Sequence, residues 1–424
     1  MLPLAGLAAL SMLATGPAPA EGGPYVDPTD IWKAVGLGGE ESPVPKPFQP
    51  VPAVLPAVGY NPAAGLLLGA YASLGIYLGD LDTTTISSGS ALAMVSTNQQ
   101  LILQLNGVAM TARNEWELQS DWRLLLYNQD TFGLGTGTAP LSTGITIGGI
   151  GTAAVSGGQP IDFNLVRIHQ IALRRVNGAL YAGGGIRFDR YFDIADKRLD
   201  LSASPPVVTS HYAYSQNFGF TPNHYTVSSV SLSVLYDSRD STINPYRGMY
   251  ATLDYRISPT FLGSSKGSSL LYGEYRRYVG LSRAVPRNVL ALWFLAQGVL
   301  TGDVPYLALP SEGWDAKNAT GRGFPQGRFR GPSEIYGEAE LRFRITDNGL
   351  VGGTVFANAR TFSRPSISIP GYQKQGEGLF HTVVPAGGFG LRFMLSRGTR
   401  NNVRLDFGFG QNSAAFYLGL GEVF

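Results

Sequence analysis

Asp237, Arg239 and Asp240 stand together in the segment YDSRDSTINPYRG, and two carboxylates this close to a turn could bind a hard cation through oxygen. Arg239 lies between them, and Pro245 and Gly248 follow as turn residues, so the segment reads as a self-neutralising turn motif instead. His169, His211, His224 and His381 are scattered without ligand spacing, and the lack of cysteine removes thiolate metal sites, disulfides and cysteine nucleophiles. No Ser, His and orienting polar group recur at a spacing that defines a hydrolase. The chain is therefore read as a non-enzyme, with no catalytic, metal or cofactor-binding residue assigned. The other chemistry-bearing stretch is GRGFPQGRFRG, residues 321–331, which carries Arg322, Arg328 and Arg330 among glycines. An arginine taken out of water there needs a bidentate or paired acceptor.

The elements that position these residues follow from composition and alternation. Lys and Arg (32) nearly balance Asp and Glu (30), for a net charge of +2, which excludes the basic excess of a nucleic-acid binder. With 55 Gly in 424 residues and only 15% charged residues, strands and tight turns are favoured over helices. Period-two alternation then runs through most of the chain: Ala339, Leu341, Phe343 and Ile345 oppose Glu340, Arg342 and Arg344. Trp116, Trp122, Leu124 and Leu126 oppose Glu117, Asp121 and Arg123 in the same way. Such segments run about 10 to 14 residues, longer than ordinary globular strands and long enough to cross a bilayer. The fold class is all-β, a transmembrane antiparallel β-barrel, and its Tyr and Trp read as interfacial girdles.

Residues 1–20 end in Ala18-Pro19-Ala20 after a short apolar run, the pattern of a secretory signal peptide. Residues 21–57 read as a Pro/Gly-rich periplasmic leader, and residues 58–424 as the barrel. Within the leader, DPTDIWKAV from Asp27 could form a short helix, against the simpler reading of a poorly ordered tail. Candidate strands number about fifteen, and bacterial barrels close on even numbers, so sixteen are expected. The missing strand belongs before the long segment 301–333, either inside 129–163 or just ahead of residue 60. Segments 193–223, 301–333 and 360–384 then all fall outside the cell, where long loops belong.

Taken in order, the pieces resemble a known family. GRGFPQGRFRG running into SEIYGEAELRFRI is similar to the characteristic loop and following strand of the BamA/TamA-like bacterial surface antigen barrels. YDSRDSTINPYRG resembles that family's Asp-x-Arg-Asp turn, PAVGYNPAAGLLLGA its opening strand, and YLGLGEVF its closing strand, whose terminal Phe424 resembles an assembly signal. The resemblance covers residues 56–424. It implies that a loop tip, here Arg322, Gly323 and Phe324, folds into the lumen and that its arginine binds an acidic residue on the wall. Where the family has Phe-x-Asp-x-Gly, this chain reads Phe356-Ala357-Asn358-Ala359-Arg360. Asn358 can accept from Arg322 without charge, so the lock is weaker or moves to Glu340 or another lumen carboxylate. Phe416, Leu418, Leu420 and Phe424 share a face expected to meet lipid or the first strand, with Glu422 on that face near the headgroups. Insertion or translocation of proteins, or lipid handling, is the implied function. The 37 residues from 21 to 57 are too few for a POTRA module, so substrate would come from a separate periplasmic partner or a barrel partner. The competing class is a passive pore or a structural barrel.

Overall fold

The computed structural model describes residues 46–61, 65–137, 146–147, 150–153, 155, 157–369 and 372–424. The expected signal peptide and the Asp27 segment weighed as a short helix lie outside the described residues. Sixteen strands form one antiparallel sheet, each paired with its neighbour in the chain. They are β1 (Val51–Asn61), β2 (Gly65–Ile76), β3 (Ser87–Ser96), β4 (Leu101–Met110), β5 (Trp116–Thr131), β6 (Gln159–Asn177), β7 (Leu180–Asp196) and β8 (Tyr225–Asp237). The second half comprises β9 (Gly248–Ser258), β10 (Ser268–Gly280), β11 (Val289–Gly302), β12 (Ser333–Arg344), β13 (Val351–Phe362), β14 (Val384–Ser396), β15 (Asn401–Gly410) and β16 (Ser413–Leu420). The sixteenth strand is β1, one of the two expected positions. Between β5 and β6 the described residues include a pairing of Thr146–Ile147 with Ile150–Gly151 but no further strand of the barrel sheet. Val51 to Ala57, expected in the leader, are strand, and PAVGYNPAAGLLLGA takes in parts of two paired strands, β1 and β2, instead of one opening strand.

Alternation sets the two faces. In β8, Ser229, Ser231 and Ser233 are buried toward the lumen, while Leu232 is 70% exposed on the outer surface. The girdle expectation fails for part of the aromatic content, because Tyr181, Tyr191, Tyr225, Tyr278, Tyr306 and Tyr336 are fully buried inside. β6 and β7, of 19 and 17 residues, exceed the bilayer requirement and project on the long-loop side. There they meet helix α1 (Ser210–Phe218), capped by the Thr209 side chain, which accepts from the Tyr212 amide, and closed by Gly219 at φ 62°. Tyr214, Phe220, Tyr225, Tyr306 and Leu307 pack with them into an apolar dome over that end.

The two ends of the sheet differ from its interior. β16 has 8 residues against 11 in β1, and β1 carries Pro52 and Pro56. Proline cannot donate to a ladder, so with β2 paired along the whole strand these positions direct their missing donors to the free edge. Among the described residues no ladder joins β16 to β1. Instead Asn401 Nδ2, at the start of β15, donates to Ser73 Oγ on β2 at 2.5 Å, and both side chains line the lumen.

Candidate functional site: a loop locked in the lumen

The segment between β11 and β12 leaves the dome and descends into the barrel. Gly323, at φ +111°, makes the sharp reversal at its tip, a backbone conformation that side-chain-bearing residues rarely adopt. The wall is carved to receive it: a Cβ at Gly408 would lie 2.6 Å from the Gly323 nitrogen, and one at Gly410 would lie 2.3 Å from the Phe324 ring. Phe324 fills the space so made, its ring centroid 5.2 Å from that of Phe329, with Phe362 and Val384 around it.

Arg322, 2% exposed, lies over the Phe356 ring with its guanidinium carbon 3.6 Å from the centroid. Its Nη2 donates to Glu338 and, at 2.5 Å, to Glu340 Oε2, and its Nη1 donates to Asp406 Oδ2 at 3.1 Å. Burial alone would pull this guanidinium down; Glu338, Glu340 and Asp406 overcome that and hold it well above the ordinary arginine range. Of the acceptors weighed for Arg322, Glu340 is in contact with it, and Glu338 and Asp406 join as further lumen carboxylates. Asn358 acts differently from expectation. Its amide donates to the Arg322 carbonyl at 3.0 Å and to Glu338 Oε2 at 3.2 Å, while its own oxygen accepts from Arg360. An amide serves here because it can donate to the loop backbone, which a carboxylate cannot.

The tip also reaches the closing strand. The Gly323 amide donates to the Tyr417 hydroxyl at 3.0 Å, and that hydroxyl donates to the Phe324 carbonyl at 3.1 Å. On the opposite wall Arg123 donates to the Asp315 carbonyl and to Asn318 Oδ1, both at 2.8 Å, so one loop is pinned to β5, β12, β15 and β16. Arg328 and Arg330 play other parts. Arg328 lies over Phe132 at 4.4 Å, and Arg330 holds the Leu307 carbonyl of its own loop at 2.6 Å. Burial lowers the Arg330 guanidinium from its ordinary value, with Tyr306, Tyr191 and Tyr225 opposing.

The turn motif sits at the other end of the barrel. Arg239 pairs with Asp237 through Nε at 2.9 Å and Nη2 at 2.7 Å and lies over Tyr250 at 4.6 Å. Asp240 does not take part in that pair. It accepts from the Tyr246 and Arg247 amides at 2.9 and 3.2 Å and bonds Arg400, in the β14–β15 turn, at 2.7 Å. Pro245 lies within the turn, and Gly248 ends it at φ +104°, where a Cβ would fall 2.2 Å from the Ser238 carbonyl oxygen. The motif is therefore half self-neutralising and half a strut to the closing strands.

The closing segment departs most from expectation. Phe416 and Leu418 face outward, 54% and 43% exposed, but Leu420, Glu422 and Phe424 are buried. Gly421, at φ +74°, turns the chain inward, and Phe424 stacks at 5.0 Å from Trp293 and 6.2 Å from Tyr278. Glu422 accepts from Arg392 and Asn402, each at 2.7 Å, so its charge is met by a partner and not by headgroup water. Strict period-two reasoning carried the outward face past Leu420, where one left-handed glycine ends it.

Together these features define a membrane barrel whose lumen holds a loop tied to its own closing strand. The chain belongs to the Omp85 superfamily, whose domain matches residues 210–424. Among solved structures it is similar to BamA from Haemophilus ducreyi lacking POTRA domains 1–3, at 13% identity and TM-score 0.50, over 88% of this chain and 69% of that one. CdiB from Acinetobacter baumannii matches at 12% identity and TM-score 0.49, over 88% of this chain and 59% of the other. No curated protein matches. The chain is a bacterial outer-membrane protein of insertase/translocase-like fold.

Glu338, Asp406, Phe356 and Tyr417 were not singled out by sequence reasoning. Inward parity with Glu340 could have found Glu338, since residues two apart in a strand share a face. Alternation places Asp406 on the inward face of its strand, but its contact with Arg322, 84 residues away, has no local signal.

Proposed function

We propose that this barrel inserts or translocates polypeptides at the outer membrane, receiving them from a separate periplasmic partner, with no catalytic step of its own. The observation that carries the reading is the contact between the loop tip and Tyr417, because it couples occupancy of the lumen to the position of the closing strand. The short β16 and the two prolines of β1 make the adjoining edge poor in ladder donors, so its opening costs few hydrogen bonds. A passive pore needs a continuous aqueous path, whereas here the dome and the loop both cross the lumen. Outer-membrane lipid is the second partner, met by the outward apolar face. Phe424 serves as an assembly signal before the tail docks, since its ring is buried afterwards.

The test pairs two measurements on the purified protein: acceleration of the folding of an unfolded barrel client into liposomes, and conductance in planar bilayers. Acceleration with low resting conductance is expected. Steady conductance without acceleration returns the passive-pore reading, and neither activity returns a structural barrel.

A further inference from the structure

We infer that the β8–β9 turn, residues 238–247, is a clasp that holds the two unladdered edges of the sheet together from the periplasmic side. β8 and β9 are the middle pair of the sixteen strands, so their turn starts on the wall facing β1 and β16. The tip does not stay in solvent at that wall: Ser241, Thr242 and Asn244 are all buried. Ser241 Oγ shapes it by accepting from the Ile243 and Asn244 amides, each at 3.2 Å. What buries the tip is the far side of the barrel mouth.

There the tip meets both edges. On the β1 side the Thr242 hydroxyl donates to the Ile86 carbonyl, in the β2–β3 connection, at 2.8 Å. Beside it a Cβ at Gly75 of β2 would fall 3.3 Å from Ile243 Cδ1 and 3.0 Å from the methyl of Thr399, which belongs to the β14–β15 turn. On the β16 side Asn244 Nδ2 donates to the Arg400 carbonyl at 3.3 Å, Asp240 pairs with the Arg400 guanidinium at 2.7 Å, and that guanidinium lies over the Tyr246 ring at 4.4 Å. Tyr246 shares an apolar cluster with Val423 and Phe424, in the chain that follows β16. Across the seam the Asn401–Ser73 bond stands where a ladder would. The turn adds a buried hydrogen bond and an apolar contact on one side and a charge-assisted pair on the other, so parting β16 from β1 breaks one set or the other. The inference deepens the seam reading above, yet it rests on the unladdered edges alone and stands whether or not the barrel inserts polypeptides.

The chain has no cysteine, so spin labels at Val54→Cys on β1 and Leu418→Cys on β16, both exposed on the outer surface, report the width of the seam by pulsed electron resonance in phospholipid nanodiscs. A narrow distance distribution is expected. Thr242→Val combined with Ile243→Ala should raise the population of longer distances about ten-fold or more, through loss of a buried hydrogen bond and an apolar contact. Arg400→Ala should raise it less, because Asn244 still holds the carbonyl at that position. Arg344→Ala removes a pair with Asp347 at the same end of the barrel and should leave the distribution unchanged. If the clasp variants fail to fold, Gly75→Cys with Ile243→Cys in the unlabelled chain tests the reach of the turn: mild oxidation should close a disulfide, seen as a shifted band on a denaturing gel without reductant. Unchanged distances in both clasp variants, equal broadening in Arg344→Ala, or absence of that disulfide overturns the inference. Client folding enters none of these readouts, so their failure is distinct from failure of the insertase test.

Discussion

Two walls of the barrel carry buried charge in contrasting ways. On the β5–β10 wall carboxylates pair with arginines two residues away or on an adjoining strand: Asp121 with Arg123 at 2.6 Å, Asp189 with Arg167 at 2.6 Å, and Asp254 with Arg256 at 2.8 Å. On the β12–β16 wall the central arginine arrives from a loop, and its acceptors lie on β12 and β15, with Glu422 joined through Arg392 at 2.7 Å. The first arrangement stiffens strands that are already neighbours. The second fastens elements that could part, and it is the one that touches the closing strand.

If this contrast is right, Arg322→Ala has the largest effect of any single change. It leaves Glu338 buried without its cation and takes one partner from Glu340 and Asp406, which keep Arg342 and Arg392, a cost of about 3–5 kcal/mol, read as a lowered transition in heat-modifiable gel migration. Glu422→Leu comes next, at about 2 kcal/mol, since Arg392 retains Asp406 at 2.6 Å. A carboxylate hydrated at headgroup level would tolerate that change, so an unshifted transition would restore the headgroup reading. Asp254→Asn on the other wall should cost about 1–2 kcal/mol yet leave ion conductance unchanged, because Arg187 and Arg256 remain on their own strands. Raised conductance in that variant would erase the distinction between the walls. Arg328→Ala should lie within about 0.5 kcal/mol of wild type, because its guanidinium only stacks on Phe132 and Phe329.

The local pairs were legible in the sequence, since an acid and an arginine two apart on an alternating strand must share a face. So were the strand number, by parity, and the descent of the 321–331 tip, by resemblance. What escaped depends on contacts between distant segments. Asp406 meets Arg322 across 84 residues, and Asp240 meets Arg400 across 160. The inward turn of the tail hangs on the single φ of Gly421, which alternation cannot express. The β1 strand was obscured for a related reason: Pro52 and Pro56 argue against strand everywhere except at an edge.

The central claim is that Arg322 keeps the lumen closed by holding the loop against β12, β15 and β16. Planar-bilayer recording of the wild type beside Arg322→Ala tests it most directly. The account predicts a largely closed wild type and frequent large openings in the variant. A wild type that conducts steadily, at a level Arg322→Ala does not change, would contradict it.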